Sequence, residues 1–136
     1  MFGLDSKLQI EVRPTEIDMM GHVNNAKYLE YLEWGREKWY EEVGISFDAM
    51  REQGLGTVTV HISIDYRKEV LMGEKLTICT RPLRKGRRSF VLQQYILNEH
   101  KEKVTEAEVT IAVISLKERK AMGLPPSLER VFKNGL

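Results

Sequence analysis

Residues 15–44, TEIDMMGHVNNAKYLEYLEWGREKWYEEVG, decide how the rest of the chain is read. The first part, TEIDMMGHVNN, is loop-like: Gly21 suits a turn and the two asparagines suit the cap of a helix, so a helix is expected to begin at about Asn24 or Asn25. Leu29, Leu32, Trp39 and Val43 then recur at near-helical spacing, with small Gly35 or the aliphatic stem of Arg36 between them, and predict an apolar stripe along one face. Gly44 is a good stop.

Upstream of this helix, Leu8, Ile10 and Val12 alternate with Gln9, Glu11 and Arg13, a short strand that Pro14 ends. Downstream, Phe47, Met50 and Arg51 give residues 45–54 the look of a brief second helix or structured connection. Val58, Val60, Ile62, Ile64 and Tyr66 then alternate strictly with Thr57, Thr59, His61, Ser63 and Asp65, the most regular strand pattern in the chain. Three further β segments, Lys75 to Pro82, Arg88 to Asn98 and Val104 to Leu116, are separated by turn signals and suggest an antiparallel meander. The tail GLPPSLERVFKNGL is expected to lie over the surface. One long helix on a twisted five-stranded sheet is a two-layer α+β arrangement, in a single domain spanning residues 1–136, with edge strands that invite a partner.

Bulk properties narrow the function classes. With 42% hydrophobic and 30% charged residues in 136, the chain suits one soluble domain that buries its own core. The 21 Lys and Arg nearly balance 20 Asp and Glu, so no global charge marks a nucleic-acid or membrane-surface binder, and any anion site must be local. Cys79 is the single cysteine, which excludes an intramolecular disulfide and a C-x-x-C metal pair; a buried thiol in a strand is expected. The start MFGLDSKLQIEVRP has neither a basic opening nor a signal-length apolar run, and no later segment approaches a membrane span, so a cytoplasmic protein is expected.

Asp18, Gly21, His22, Asn24 and Asn25 form the densest polar cluster, directly before the long helix. The first turn of a helix has unpaired N–H groups and a partial positive end, so a carbonyl oxygen placed there is polarised as negative charge develops on it. A nearby carboxylate can then act on the carbonyl carbon. Taken alone, Asp18 is equally an ordinary turn carboxylate, and Asn24 and Asn25 are equally caps. His22 could hydrogen-bond the Asp18 loop or line a pocket, and His61 stands on the polar face of its strand, a place for a surface or subunit-interface histidine. Glu30 and Glu33 are rival carboxylates whose plainer reading is a solvated helix face.

The string DMMGHVNNAKYLEYLEWGR, residues 18–36, resembles the hotdog thioesterases of the hydroxybenzoyl-CoA thioesterase superfamily, and SIDYRKEVLMGEKL, residues 63–76, is similar to the family's strand that ends in Tyr before a Gly-Glu turn. The GHVNN form resembles the branch acting on longer fatty acyl-CoA; another branch has histidine where this chain has Asn25. The resemblance implies a hotdog fold, a five-stranded antiparallel sheet wrapped around one long helix. It also implies an acyl-CoA thioesterase, free of cofactor and metal, in which Asp18 is the catalytic carboxylate, as general base on water or as nucleophile giving a mixed anhydride. The backbone N–H of Asn25 would polarise the thioester, and the enzyme would be a homo-oligomer, dimer or tetramer, with sites between subunits.

Substrate contacts are expected from Asn24, Tyr28 and His61, and from the turn around Gly86, where Arg81, Arg84, Lys85, Arg87 and Arg88 could hold the coenzyme A phosphates or form a merely solvated hairpin tip. An RNA surface is disfavoured because no aromatic row accompanies these cations. Tyr28, Tyr31, Trp34 and Trp39 could shape an acyl tunnel or belong to the core. The alternatives are hydrolysis of acyl-carrier-protein thioesters and a non-catalytic acyl-CoA-binding hotdog protein. A hotdog dehydratase is disfavoured because no histidine is suitably placed after a strand.

Overall fold

Helix α1 occupies Asn25–Val43 in the computed structural model, which describes residues 5–135; residues 1–4 and 136 of the expected single-domain span lie outside the described residues. Both ends follow local chemistry. Asn24 caps the start, its side chain accepting the Ala26 N–H, and Gly44 closes the end in the left-handed region at φ +80°.

The strands are β1 (Ser6–Glu11), β2 (Leu55–Tyr66), β3 (Lys75–Lys85), β4 (Ser89–Leu97) and β5 (Lys103–Ser115), with α2 (Phe47–Glu52) before β2 and α3 (Pro126–Gly135) at the end. All pairings are antiparallel, in the order β1-β3-β4-β5-β2. The three later strands form the meander expected of them. β2 joins it on the far side, beside β5, and β1 closes the near side beside β3. Together they make the α+β hotdog arrangement, with α1 held against β1 and β3 in the hollow of the sheet.

The buried face of α1 differs from the expected stripe. Leu29 is exposed and Val43 only half-buried, whereas Tyr28, Tyr31, Leu32, Gly35, Arg36, Trp39 and Tyr40 face inward. Three tyrosines and an arginine therefore occupy positions that a purely aliphatic pattern assigns to Leu and Val. Gly35 marks the closest approach to the sheet: a Cβ there would lie 2.5 Å from Ile78 Cγ2, so no larger residue fits without displacing buried neighbours. Around it runs a polar belt, in which the buried Gln94 side chain donates to Leu32 O (2.8 Å) and Thr80 Oγ1 (2.9 Å) and accepts from Arg36 Nη1 (3.1 Å). Burial lowers the Arg36 pKa.

Two apolar clusters lie on either side of this belt. One surrounds Tyr28, Tyr31 and Leu32 with Val12, Val23, Leu76 and Ile96. The other gathers Trp39, Tyr40, Met50, Phe90 and Ile111 with Leu128, Val131 and Phe132. The last three correct the expectation of a surface tail: Leu128, Val131 and Phe132 sit at i, i+3 and i+4, and α3 packs that stripe into the core. The proline pair disguised it, yet Pro126 stands at the first helical position, where a missing N–H costs nothing.

The strict alternation of β2 does form a strand, but Val58 and Val60 are exposed, and Val60 falls at a bulge in the pairing with β5. β2 is an edge strand whose outer side has no partner within the described residues. Cys79 is buried in β3 as expected, where burial raises its thiol pKa. Among the described residues, no helix is long and apolar enough to cross a membrane.

Candidate active site

The stretch between β1 and α1 is tied down from both sides. Pro14–Glu16 form one 3-10 turn, after which Ile17 bridges to Val23 and closes a tight loop. Within it the Asp18 N–H donates to His22 O (2.9 Å) and the Gly21 N–H to Asp18 O (3.1 Å), a turn that needs the left-handed conformation of Gly21 at φ +87°. The loop then docks on the segment before β3: the Val23 N–H donates to Val70 O (2.8 Å), and His22 bridges to Leu71.

Asp18 is thereby held in one orientation. Its Oδ1 accepts the Met20 N–H at 2.9 Å, while Oδ2 lies 3.5 Å from Nδ1 of His22. Both side chains keep partial solvent access, 26% for Asp18 and 34% for His22. A carboxylate with one oxygen pinned by the backbone and the other at the edge of a cavity can accept a proton or attack a carbon.

The opposing wall is the start of α1. The Ala26 N–H is taken by Asn24 Oδ1 (2.9 Å) and the Lys27 N–H by Asn24 O (2.9 Å), whereas the Asn25 N–H has no partner among the described residues. Tyr66, at the end of β2, donates its hydroxyl to Asn25 O (3.2 Å) and sets its ring edge-on to Tyr28 at 5.3 Å. Asp18, His22, Asn25, Tyr28 and Tyr66 line one cavity of about 350 Å³, with Val23, Arg67, Lys68 and Glu69 completing its wall. Burial, reinforced by the negative charge of Glu74 and Glu69 and by Asp18, pushes the Tyr28 hydroxyl up to about 12, so at neutral pH it stays protonated and can donate a hydrogen bond.

This constellation brings together Asp18, His22, Asn25 and Tyr28 from the residues singled out in the sequence. Asn24 serves as the cap and does not line the cavity. His61 stands exposed on β2, opposite Thr110, away from Asp18. The basic hairpin is at the far end of β3: Arg84 pairs with Glu108 (3.2 Å) and Lys85 with Glu129 (2.8 Å), while Arg87 and Arg88 are exposed. By the strand register Tyr66 stands level with Ile78 of β3, six residues before Arg84, so the hairpin lies roughly 20 Å further along the sheet than the cavity. Glu30 is exposed and pairs with Lys27 (3.0 Å), and Glu33 is exposed, as the solvated-face reading has it. Tyr31 and Trp39 are fully buried core residues, and Trp34 is half-buried against Tyr31.

Tyr66, Arg67 and Lys68 were the residues that sequence reasoning missed. Their signal lay where the alternation of β2 stops, since the residues leaving a strand end are those delivered to the sheet margin. Arg67 pairs with Glu106 (2.9 Å) and Lys68 with Glu102 (2.6 Å), so both cations are held at the cavity rim. A larger hollow of about 710 Å³ lies between β1, β3 and the turn after β4, but its Lys, Glu and aliphatic lining contains none of the groups just described.

Comparison with known proteins gives the family and the fold. Residues 12–132 match the family described as the thioesterase-like superfamily. The long-chain acyl-CoA thioesterase FadM of Escherichia coli is 36% identical over 121 residues, covering 88% of this chain and 91% of that protein. The crystal structure of YbaW, a probable thioesterase from Escherichia coli, superposes with a TM-score of 0.81 at 34% identity over 92% of this chain and 94% of that one. A 1,4-dihydroxy-2-naphthoyl-CoA thioesterase from Synechocystis shares the fold, with a TM-score of 0.86 at 20% identity over 96% and 97% of the two chains.

Proposed function

The chain belongs to the thioesterase-like superfamily, a family of thioester hydrolases, and from that premise we propose that it hydrolyses a fatty or other hydrophobic acyl-CoA to the free acid and coenzyme A. The observation that carries the reading is the pairing, across one cavity, of the Asp18 carboxylate with the unused N–H of Asn25. The thioester oxygen rests at the start of α1, where the N–H and the helix dipole stabilise the oxyanion as the carbonyl carbon becomes tetrahedral. Asp18 takes the proton of a water molecule as its oxygen bonds to that carbon, or bonds to the carbon itself and gives an anhydride that water then opens. In either route the C–S bond breaks and the thiolate leaves to be protonated. His22, 3.5 Å from Asp18, orients the carboxylate. The likeness to FadM, together with Tyr28 and Tyr66 in the wall, supports a hydrophobic acyl group.

The active form is read as a homo-oligomer, a dimer or a tetramer built from it. Support comes from β2, a twelve-residue edge strand with exposed Val58 and Val60, whose Tyr66 end borders the cavity. A second copy seated there would stand beside the site, and His61 would face it. Because the basic hairpin lies across the sheet from the cavity of its own chain, Arg84, Lys85, Arg87 and Arg88 are assigned to the coenzyme A phosphates of a neighbouring copy's substrate. Their charge and the planar guanidinium groups suit phosphate.

A thiol-release assay over aliphatic chain lengths, with aromatic acyl-CoA and acyl carrier protein included, tests the proposal. Release from acyl-CoA that depends on Asp18 is expected. Faster turnover of the carrier-protein thioesters would transfer the assignment to that substrate, and tight acyl-CoA binding with no thiol released over hours would make the protein a binder.

A further inference from the structure

Glu16 is a buried carboxylate that the proposed chemistry does not use. It is 7% exposed, and its Oε1 accepts two bonds, from the Tyr31 hydroxyl (2.7 Å) and from the Arg13 N–H (2.9 Å). Its own carbonyl accepts the N–H of Asn24, the cap of α1, at 3.0 Å. One residue thus grips the helix twice. The side chain reaches the second turn through fully buried Tyr31, and the main chain reaches the cap.

The location of this grip gives it a consequence. Glu16 lies two residues before Asp18, at the base of the loop that carries it, and Asn24 lies one residue before Asn25. Behind the site the two walls of the cavity are joined by this side chain and its carbonyl, together with the Ile17–Val23 bridge and the Asp18 N–H bond to His22 O, while in front they are separated by the space the thioester must occupy. Burying a carboxylate is costly, and an apolar side chain would fill the same volume at less expense in free energy. What an apolar side chain cannot do is hold a direction. The phenol of Tyr31 keeps its proton, because burial and the bond to Glu16 both raise its pKa, so at neutral pH it remains the donor in this bond.

We infer that Glu16 and Tyr31 are positioning residues for the thioesterase reaction: their hydrogen bond sets the separation and facing of the Asp18 carboxylate and the Asn25 N–H. The inference rests on the catalytic reading of Asp18. It requires that the clamp act on the chemical step and leave substrate binding nearly unchanged, since the residues of the clamp do not line the cavity.

The experiment compares Glu16→Ala, Glu16→Gln, Tyr31→Phe and Asp18→Asn in a thiol-release assay with one good acyl-CoA substrate, with folding followed by circular dichroism. Glu16→Ala and Tyr31→Phe are expected to lower kcat by about tenfold or more with KM changed by less than about twofold, the scale on which a misplacement well under 1 Å costs rate. Glu16→Gln keeps an Oε1 that accepts both bonds and is expected to restore kcat to within about threefold of wild type. Wild-type kcat in a folded Glu16→Ala or Tyr31→Phe protein would overturn the inference, as would a defect confined to KM, or equal losses in Glu16→Gln and Glu16→Ala. If Glu16→Ala does not fold, Tyr31→Phe, which removes one oxygen atom, decides the matter. Asp18→Asn separates the two levels: loss there with none in the clamp variants refutes only the clamp, and wild-type turnover there refutes the catalytic reading beneath it.

Discussion

The two ends of α1 are closed by different means. At its C-terminal end Trp39 and Tyr40 are packed by Ile45, Met50, Phe90, Leu128 and Phe132, and the Gly44 N–H turns back to Glu41 O (3.1 Å). At its N-terminal end a second apolar cluster, around Tyr28, Tyr31 and Leu32, is supplemented by polar contacts: Glu16 on Tyr31, the Asn24 cap on Ala26, Tyr66 on Asn25 O, and one N–H left unused at Asn25. The contrast teaches a division of labour. Apolar packing anchors both ends, and at the N-terminal end hydrogen bonds are added to it, so that this end retains an unsatisfied donor facing a cavity. Hydrogen bonds hold that end in direction without filling the space in front of it.

The largest effect is expected at the C-terminal end of the helix. Phe132→Ala removes a ring that packs against Phe90 (centroids 5.6 Å apart) and should cost about 3–5 kcal/mol in stability by denaturant titration, with kcat unchanged in protein that remains folded. A comparable loss of kcat in folded protein would erase the proposed division. Asp18→Asn should do the reverse: turnover falls by at least ~10²-fold, about 2.7 kcal/mol in barrier height, while the unfolding midpoint moves little.

Gly35→Ala probes the middle of the helix. Alanine favours the helix by about 1 kcal/mol. Its Cβ, however, would meet Ile78, Gln94 and Thr80 at 2.5, 3.1 and 3.2 Å, all of them buried, and overpacking of this kind costs about 1–3 kcal/mol. A net destabilisation is expected in a thermal melt, and an unchanged or raised midpoint would mean that the sheet yields at this point. Asn24→Ala is the mildest change. Losing the cap should cost about 1 kcal/mol in stability. It should also lower kcat severalfold, because the freed Ala26 N–H no longer fixes the turn that presents Asn25. An effect on stability alone would separate the cap from the site.

The limits of α1 were legible because they depend on residues adjacent in the chain. An asparagine side chain reaches an N–H two positions on, and glycine alone adopts φ +80° without strain, so Asn24 and Gly44 announce the two ends. Its inner face was legible only in part. Tyrosine is both apolar and polar, and Tyr28, Tyr31 and Tyr40 are buried by ring packing or through buried partners for their hydroxyls, which periodicity in Leu and Val does not detect. The tail was misread for a related reason: Pro125 and Pro126 look like an extended segment unless the second is recognised as the opening of a helix.

The local pattern of the chain determined the strands, the capped helix and, through the DMMGHVNN stretch, a carboxylate in a turn just before a helix start. The tertiary structure alone decided that β2 crosses to pair with β5, that Tyr66 at its end meets Asn25, that Arg67 and Lys68 border the cavity, and that the basic hairpin stands away from it. The reason is physical. Caps, turns and periodicity arise from interactions within a few residues and are written in sequence order. Strand order and cavity walls are settled by burial and pairing between segments dozens of residues apart, whose energies belong to the assembled fold and to no single segment.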